Sequence, residues 1–507
     1  MIVALGARLL ARLTQPRFKR WENDAPALQE KQFRSLLSNG RRTHFGRDHG
    51  LNSVSSYEEF KEKVPIRDYE ALRPYVDRII GGEEDVLWPG RPLYFAKTSG
   101  TTSGAKFIPI SRESMPNHID SARLALLMYT LKTRKTKFLG GKYIFISGSP
   151  ELEETGGILT GRLSGIVHHH IPAYLKKKRL PSFETNCISD WEEKLDQIVR
   201  ETSRQKMSLI SGIPPWVEMY FERLLLHSGK HSVAELFPRF ELLVHGGVNF
   251  QPYSEKLSRL IGKEIDAIET YPASEGFIAF QDEFPSRGLL LIPDSGIFYE
   301  FIPADAFHQE NPPRYKLDEV ETGVNYVLIM NTNAGLWGYN IGDTVRFESV
   351  NPYRLVVTGR LSQYTSAFGE HVIGEEAESS LQEAVEATDA QVAEFTLAPL
   401  IENPDGKPCH QWFVEFEREP SDLQQFSRVL DAALQKRNAY YKDLVGGNIL
   451  QAAVVVPVPS DTFKKYMKSV GKLGGQNKVP HLSNDREIAN WIEEHVISRQ
   501  EAGSGTD

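Results

Sequence analysis

Leu93-Tyr94-Phe95-Ala96-Lys97-Thr98-Ser99-Gly100-Thr101-Thr102-Ser103-Gly104-Ala105-Lys106-Phe107-Ile108-Pro109-Ile110 sets a loop of hydroxyls, two glycines and two lysines between two short apolar runs. Glycine lets the backbone approach an anion, successive N–H groups can form a concave nest, and Ser, Thr and Lys add donors and positive charge. The stretch therefore reads as phosphate-binding. It is not a Walker loop, which needs four residues between its glycines, a lysine directly after the second and a helix to follow. Here three residues separate Gly100 from Gly104, Ala105 precedes Lys106, and a β-leaning run follows. The spacing predicts a loop between two strands. Taken alone, the loop has a second reading as a solvated hairpin turn of small polar residues.

At 507 residues the chain exceeds what one hydrophobic core serves, which predicts a large body plus at least one smaller domain. A composition of 40% hydrophobic, 25% charged and 10% aromatic residues is that of a globular protein and excludes a disordered one. The net charge of -8 and the pI near 6.0 argue against a general nucleic-acid binder. Lys176-Lys177-Lys178-Arg179, the sharpest basic run, reads as a solvated face. Two cysteines, Cys187 and Cys409, supply neither a disulfide framework nor a cysteine-rich metal site and fit a reducing cytoplasm. The N-terminal run through Leu13 is interrupted by Arg8 and Arg12, so it reads as an amphipathic helix packed on the body, with a membrane-surface role as the alternative, and not as a signal peptide. No stretch reaches the roughly 18 uncharged apolar residues of a spanning helix, so no stable membrane insertion is expected.

Working outward, Asn23-Asp24 precede a helix with Leu28, Phe33, Leu36 and Leu37 on one face, ending near Gly40, and Ser56-x-x-Glu59 reads as a capping box for the next. Strand-like runs at 143–146, 242–244 and 265–268 alternate with helical patterns such as 191–199, which points to α/β layering. Runs at 298–302, 326–330 and 354–357 have few helices between them, as in an antiparallel sheet or small barrel. After about residue 365 the pattern changes to a helix near 376–387, strands at 391–397 and 411–416, a helix carrying Leu423, Phe426, Val429, Leu430, Ala433 and Leu434 with Ser421-x-x-Gln424 as its cap, a strand at 453–456 and a last amphipathic helix. The fold class is α/β with α+β. A large N-terminal domain of layered sheets flanked by helices spans 1–365, and a small α+β domain spans 366–507.

Two further motifs bear on the loop. Glu269-Thr270-Tyr271-Pro272-Ala273-Ser274-Glu275-Gly276 follows a predicted strand, placing Tyr271 and Glu275 at its C-terminal end, where α/β sheets bind ligands. Tyr339-Asn340-Ile341-Gly342-Asp343 ends a second strand-like region in a Gly-Asp turn, where an acceptor-only carboxylate can take both hydroxyls of a ribose. In this order and spacing the three motifs resemble the adenylate-forming enzymes, specifically the acyl-acid amido synthetase (Gretchen Hagen three) family. The resemblance covers nearly the whole chain. It includes Ile292-Pro293 with Phe298-Tyr299-Glu300-Phe301, Ala334-Gly335-Leu336 through Asp343, and Gly475-Gln476-Asn477-Lys478-Val479-Pro480.

The resemblance implies a ligase using ATP and Mg²⁺. A carboxylic acid attacks the α-phosphorus to give an acyl-adenylate and pyrophosphate, and an amine, an amino acid in this family, then displaces AMP. It assigns Thr98, Ser99, Gly100, Thr101, Thr102, Ser103 and Lys106 to the phosphates, Glu275 to Mg²⁺, and Tyr271, with Ser274 beside it, to the adenine. Asp343 and Arg360 go to the ribose or phosphates, and Gly246-Gly247 to the turn beside the adenine. It further implies a mobile C-terminal lid hinged near Phe368-Gly369-Glu370-His371, with Lys478 as its catalytic lysine and Lys472 as a fallback. Arg123, on a helix after Ser111, is a candidate for the substrate carboxylate. The chain departs from the wider pattern at Asn340, where the superfamily usually has arginine, and at His371, where plant members carry lysine. The extra Ser103 and the absence of glycine after Lys106 favour amide over thioester formation. An acyl-CoA synthetase sharing the first step and a silent nucleotide-binding homologue are the alternatives. His168-His169-His170 reads as structural or pocket-lining and not as a metal site, because consecutive strand residues point to opposite faces and cannot easily share an ion. No Gly-x-Ser-x-Gly elbow appears, and no nucleic acid or obligate protein partner is indicated.

Overall fold

The computed structural model describes residues 2–98, 106–247, 250–284, 288–307, 309–361, 372–401, 403, 406–446, 450–473, 478–483 and 486–497. The chain divides into two compact units, one of Met1–Ile341 with Val345–Val357 and one of Gly342–Thr344 with Thr358–Asp507. The boundary expected at 365/366 falls within 362–371, outside the described residues.

The first unit opens with a helix, Ile2–Gly40, kinked at Asp24 (φ -126°, ψ 20°) two residues before Pro26. A proline inside a helix removes a backbone donor and crowds the preceding turn, which explains the break where a second helix was expected to begin. Leu28, Phe33, Leu36 and Leu37 are buried as the pattern predicts. Gln29, also buried, donates to the carbonyls of Pro293 and Ile297 (both 2.9 Å) and accepts from Tyr299 N–H (2.9 Å), fastening this helix to the Ile297–Pro303 strand. Ser56 caps the Tyr57–Lys63 helix through Glu59 N–H, but Glu59 reaches back to Ser55, so the expected box is closed one residue early.

Beneath this helix, one sheet of eleven strands carries both textures read from the sequence. Its order is Ile297–Pro303, Asn325–Thr332, Tyr339–Val350, Tyr353–Arg360, Leu289–Leu291, Phe277–Gln281, Asp266–Pro272, Leu242–Gly246, Met207–Ser211, Lys142–Phe145 and Arg179–Leu180. The last five strands are parallel, with continuous apolar runs such as Leu242-Leu243-Val244, as burial on both faces requires. The strands expected as an antiparallel sheet or small barrel continue this same sheet. A second, four-stranded sheet holds the opening motif. Tyr94–Thr98 pairs antiparallel with Lys106–Ile110, Thr98 opposite Lys106, so strands flank the hydroxyl-rich loop on both sides.

A buried ion pair closes the unit. Arg314 donates from Nε and Nη2 to Glu300 (2.7 and 2.8 Å) and from Nη1 to the Val64 carbonyl (2.6 Å), while Tyr57 Oη (2.9 Å) and Asn331 Nδ2 (2.7 Å) also donate to Glu300. Glu300 is fully buried.

In the second unit, Gln391–Leu400 and Cys409–Arg418 pair antiparallel, and Val454–Val458 joins the latter in parallel. The helices Gly374–Thr388 and Leu423–Arg437 cover a core that includes Leu381, Trp412, Phe426 and Leu430. The cap of Leu423–Arg437 is Asp422, whose carboxylate accepts from Gln425 N–H (3.0 Å), and not Ser421 as expected. An ionised acceptor at the helix N-terminus is the stronger of two adjacent candidates.

Candidate active site

The parallel strands Leu242–Gly246 and Asp266–Pro272 run side by side, Gly246 opposite Thr270. Their backbones come so close that a Cβ on Gly246 would lie 2.1 Å from the Thr270 carbonyl oxygen, and Gly247 beyond it has φ +82°. Both positions need glycine, as a turn that lets a ligand approach the backbone requires. Tyr271 is buried at the end of its strand. Ala273–Gly276 then form a tight turn closed by reciprocal bonds, Ala273 N–H to Gly276 O (2.9 Å) and Gly276 N–H to Ala273 O (3.2 Å), and this turn holds Ser274 and Glu275 half-buried.

Sequence reasoning missed what fixes that turn. Asn117, on the Met115–Thr133 helix, accepts from Phe277 N–H through Oδ1 (2.6 Å) and donates through Nδ2 to Phe277 O (3.1 Å). One buried amide thus pins the residue after the Glu275 turn. An asparagine inside a helix is the only local signal, and its partner lies 160 positions away. His118 beside it and His245 are buried neutral bases, each pushed down to about 4 by desolvation, and His245 stacks on Phe250 at 4.1 Å.

Of the phosphate-loop candidates, Thr98 and Lys106 stand at the two strand ends, and Lys106 Nζ lies 5.8 Å over the Tyr69 ring, a partial cation–π rest for the cation. Ser99, Gly100, Thr101, Thr102 and Ser103 lie outside the described residues. Arg123 is on the predicted helix, exposed and paired with Asp120 (2.9 Å). His168 and His169 sit on a helix, Leu163–His169, with His170 as its C-cap, and not on a strand as assumed. The basic run is corrected as well. Lys176 and Lys177 are exposed, but Lys178 donates to the Leu139 carbonyl (2.7 Å) and Arg179 turns inward over the Phe145 ring (5.1 Å).

In the second unit, Gly342 and Asp343 lie within the Tyr339–Val350 strand and not in a turn at its end. Gly342 takes φ +85° while strand geometry continues on both sides, Leu361 N–H donates to its carbonyl (2.6 Å), and Asp343 is buried. Arg360 ends the Tyr353–Arg360 strand, and its side chain lies outside the described residues, as do Phe368 to His371 and Gly475 to Asn477. Lys478 and Lys472 are exposed.

The segment after Lys478 is fastened with unusual care. Thr396 Oγ1 donates to Pro480 O (2.7 Å), Leu397 N–H to His481 O (2.7 Å) and Ser483 N–H to Leu397 O (3.2 Å). His481 is gripped on both ring nitrogens, Nδ1 by Glu378 and Nε2 by Glu394 (each 2.9 Å), with Phe395 against its face (4.3 Å). Burial alone lowers its pKa, but Glu394 and Glu378 outweigh that and raise it to about 10, so the imidazolium is the resident form.

A sheet whose five parallel strands continue into an antiparallel half is the fold class of the adenylate-forming ligases. A 2-hydroxyisobutyryl-CoA ligase in its postadenylation state matches at TM-score 0.59 with 12% identity, over 93% of this chain and 92% of that one. The chain belongs to the GH3 family. Its N-terminal domain model matches residues 14–195, its central domain model 290–360 and its C-terminal domain model 375–487. The GH3.15 acyl acid amido synthetase solved with 2,4-DB superposes at TM-score 0.79 with 16% identity, covering 96% of each chain. Among sequence relatives, jasmonoyl–L-amino acid synthetase JAR6 of Nicotiana attenuata is 24% identical over 91% of this chain and 92% of its own length. Indole-3-acetic acid-amido synthetase GH3.3 of Arabidopsis thaliana is 20% identical over 93% and 91%.

Proposed function

We propose that the protein activates a small carboxylic acid with ATP and passes the acyl group to an amino acid. It is an amide-forming ligase of the acyl acid amido synthetase type. The observation that carries this reading is the Tyr271–Glu275 turn, presented at the ends of parallel strands and pinned by Asn117, within a chain matched along its length by one family's three domains.

In the first step a carboxylate oxygen attacks the α-phosphorus and pyrophosphate leaves. In the second the amine nitrogen attacks the acyl carbon and AMP leaves with the bonding pair. Negative charge builds on phosphate oxygens, so the work of the protein is positioning and electrostatic stabilisation. Loop donors between Thr98 and Lys106 hold the phosphates, Tyr271 packs against the base, Gly246-Gly247 leave room beside it, and Asp343 and Arg360 take the ribose. Glu275 suits Mg²⁺ that arrives with the nucleotide. Among the described residues no group of three His, Cys, Asp or Glu could hold a metal alone, whereas Mg²⁺ is commonly bound by one or two carboxylates plus substrate phosphates. Bound there, the ion would neutralise phosphate charge. The C-terminal unit serves as a lid that brings Lys478 to the phosphates during adenylation. Two free cysteines support a reducing, cytoplasmic setting, and among the described residues no helix is long and apolar enough to cross a membrane.

Exchange of labelled pyrophosphate into ATP across a panel of acids tests the first step. Release of AMP on adding amino acids or CoA tests the second. Amino-acid-dependent release is the expected result. CoA-dependent release would make the protein a thioester-forming enzyme, and no exchange with any acid would leave a nucleotide-binding protein without adenylation chemistry.

A further inference from the structure

In the first unit Arg179 and Arg162 are half-buried cations that make no ion pair among the described residues. Arg179 lies beside Tyr143 where the Arg179–Leu180 strand joins the sheet, and its guanidinium turns over Phe145 at the end of the next strand. Its Nε and Nη1 are buried with no hydrogen-bond partner. Burial alone acts on it, with no carboxylate near, and pushes it down to about 10. Next to it, His168 has a buried Nδ1 without a partner and packs against Phe183 (5.6 Å). Burial, then Arg179, His169 and Lys176, lower His168 to about 4. Asn186, fully buried on the short helix that begins at Phe183, leaves both Oδ1 and Nδ2 unsatisfied. Arg162, whose Cδ would lie 2.7 Å from a Cβ on Gly148, is likewise lowered by burial alone.

In a chain of net charge -8, such a cluster is anomalous. A half-buried guanidinium with two nitrogens lacking a partner is poorly solvated, and its planar fork is the side-chain group best matched to an oxyanion. Distance then decides which oxyanion. Arg179's strand stands four places along the sheet from the Asp266–Pro272 strand that presents Tyr271, roughly 19 Å at about 4.8 Å per strand. A carboxylate reacting with the nucleotide beside Tyr271 is therefore not the group that Arg179 holds.

We infer that Arg179 and His168 form a binding site for a second anionic group on the acid substrate, so that the preferred acid carries a carboxylate or phosphate-type oxyanion at its far end. The inference rests on the activity proposed above. Arg179 donates to the distal oxyanion, His168 supplies a further donor, and Arg162 adds positive field. The site is a specificity determinant and takes no part in the chemistry.

Pyrophosphate exchange by the full-length enzyme is compared for straight-chain monocarboxylic acids and their ω-dicarboxylic counterparts. The wild type should prefer the dicarboxylate. Arg179→Met should raise its KM at least tenfold while leaving kcat and the KM of the monocarboxylate unchanged, and Arg179→Lys should restore part of the loss. Without ligand, Arg179→Met should melt no lower than wild type, because it removes an unpaired charge. A clearly lower melting temperature would make Arg179 structural and overturn the inference. Equal loss for both acid classes would overturn it too. Inorganic phosphate distinguishes a free anion: if phosphate, but no dicarboxylate, stabilises the wild type and not Arg179→Met, the site holds an independent ion and the inference fails. If no acid supports exchange, the proposed activity fails separately, and dicarboxylate-dependent thermal stabilisation, present in wild type and absent in Arg179→Met, still decides the site.

Discussion

His481 ties the segment following Lys478 to the helix Gly374–Thr388 and the strand Gln391–Leu400, and this should make that region alkali-sensitive. Its pKa stands at about 10 against an ordinary 6.5. At about 1.4 kcal/mol per unit this amounts to at most about 5 kcal/mol, and partial solvent access of the ring brings it to roughly 3 kcal/mol. Because the folded pKa is raised, the stabilisation is fully present below pH 6.5 and is lost as pH rises from 6.5 through about 10. Hydrogen exchange of the intact protein, corrected for the intrinsic rate, should show peptides covering 391–400 and 480–483 losing about a hundredfold in protection between pH 6.5 and 9.5, which is roughly 3 kcal/mol. His481→Asn should show low protection at both pH values. Wild-type protection that stays flat across this window would refute the reasoning, since the two carboxylates would then not be holding a proton on the ring.

Glu300→Ala should destabilise the protein by about 3–5 kcal/mol in urea unfolding, because it strands the buried Arg314 guanidinium; a loss below about 1 kcal/mol would show that the cation escapes to solvent. Asn117→Ala should slow pyrophosphate exchange about tenfold by loosening the Glu275 turn while near-ultraviolet circular dichroism stays native, and unchanged exchange would remove Asn117 from the positioning of that turn. Lys478→Ala should slow adenylation more than amide formation from a pre-made adenylate, measured in single turnover. Equal slowing of both steps would count against a lysine specific to the first.

What the sequence made legible is what local physics controls. The apolar runs on either side of the loop placed strands there, and Asn23-Asp24 marked the start of the helix that follows the kink. What it concealed depends on partners far along the chain. Asn117 meets Phe277, and Glu300 gathers Tyr57, Arg314 and Asn331. Arg179 was misread because a run of four basic residues resembles a solvated face, yet strand pairing with Tyr143 turns the fourth inward. Gly342-Asp343 resembled a turn because glycine permits a positive φ, and here that freedom is used inside a strand. The acid pocket had no local motif to read, since such pockets are built from scattered side chains.

The knot around Glu300 constrains how this enzyme can be taken apart. Arg314 spends one arm on the carbonyls of Lys61 and Val64, and Glu300 takes a proton donor from Tyr57, so the first sixty-odd residues complete the central sheet's interior and are no detachable appendage. A fragment starting at Pro65 would expose Phe298 and strip two acceptors from a buried cation. Limited proteolysis that nicks the chain ahead of Tyr57 should therefore leave both pieces associated.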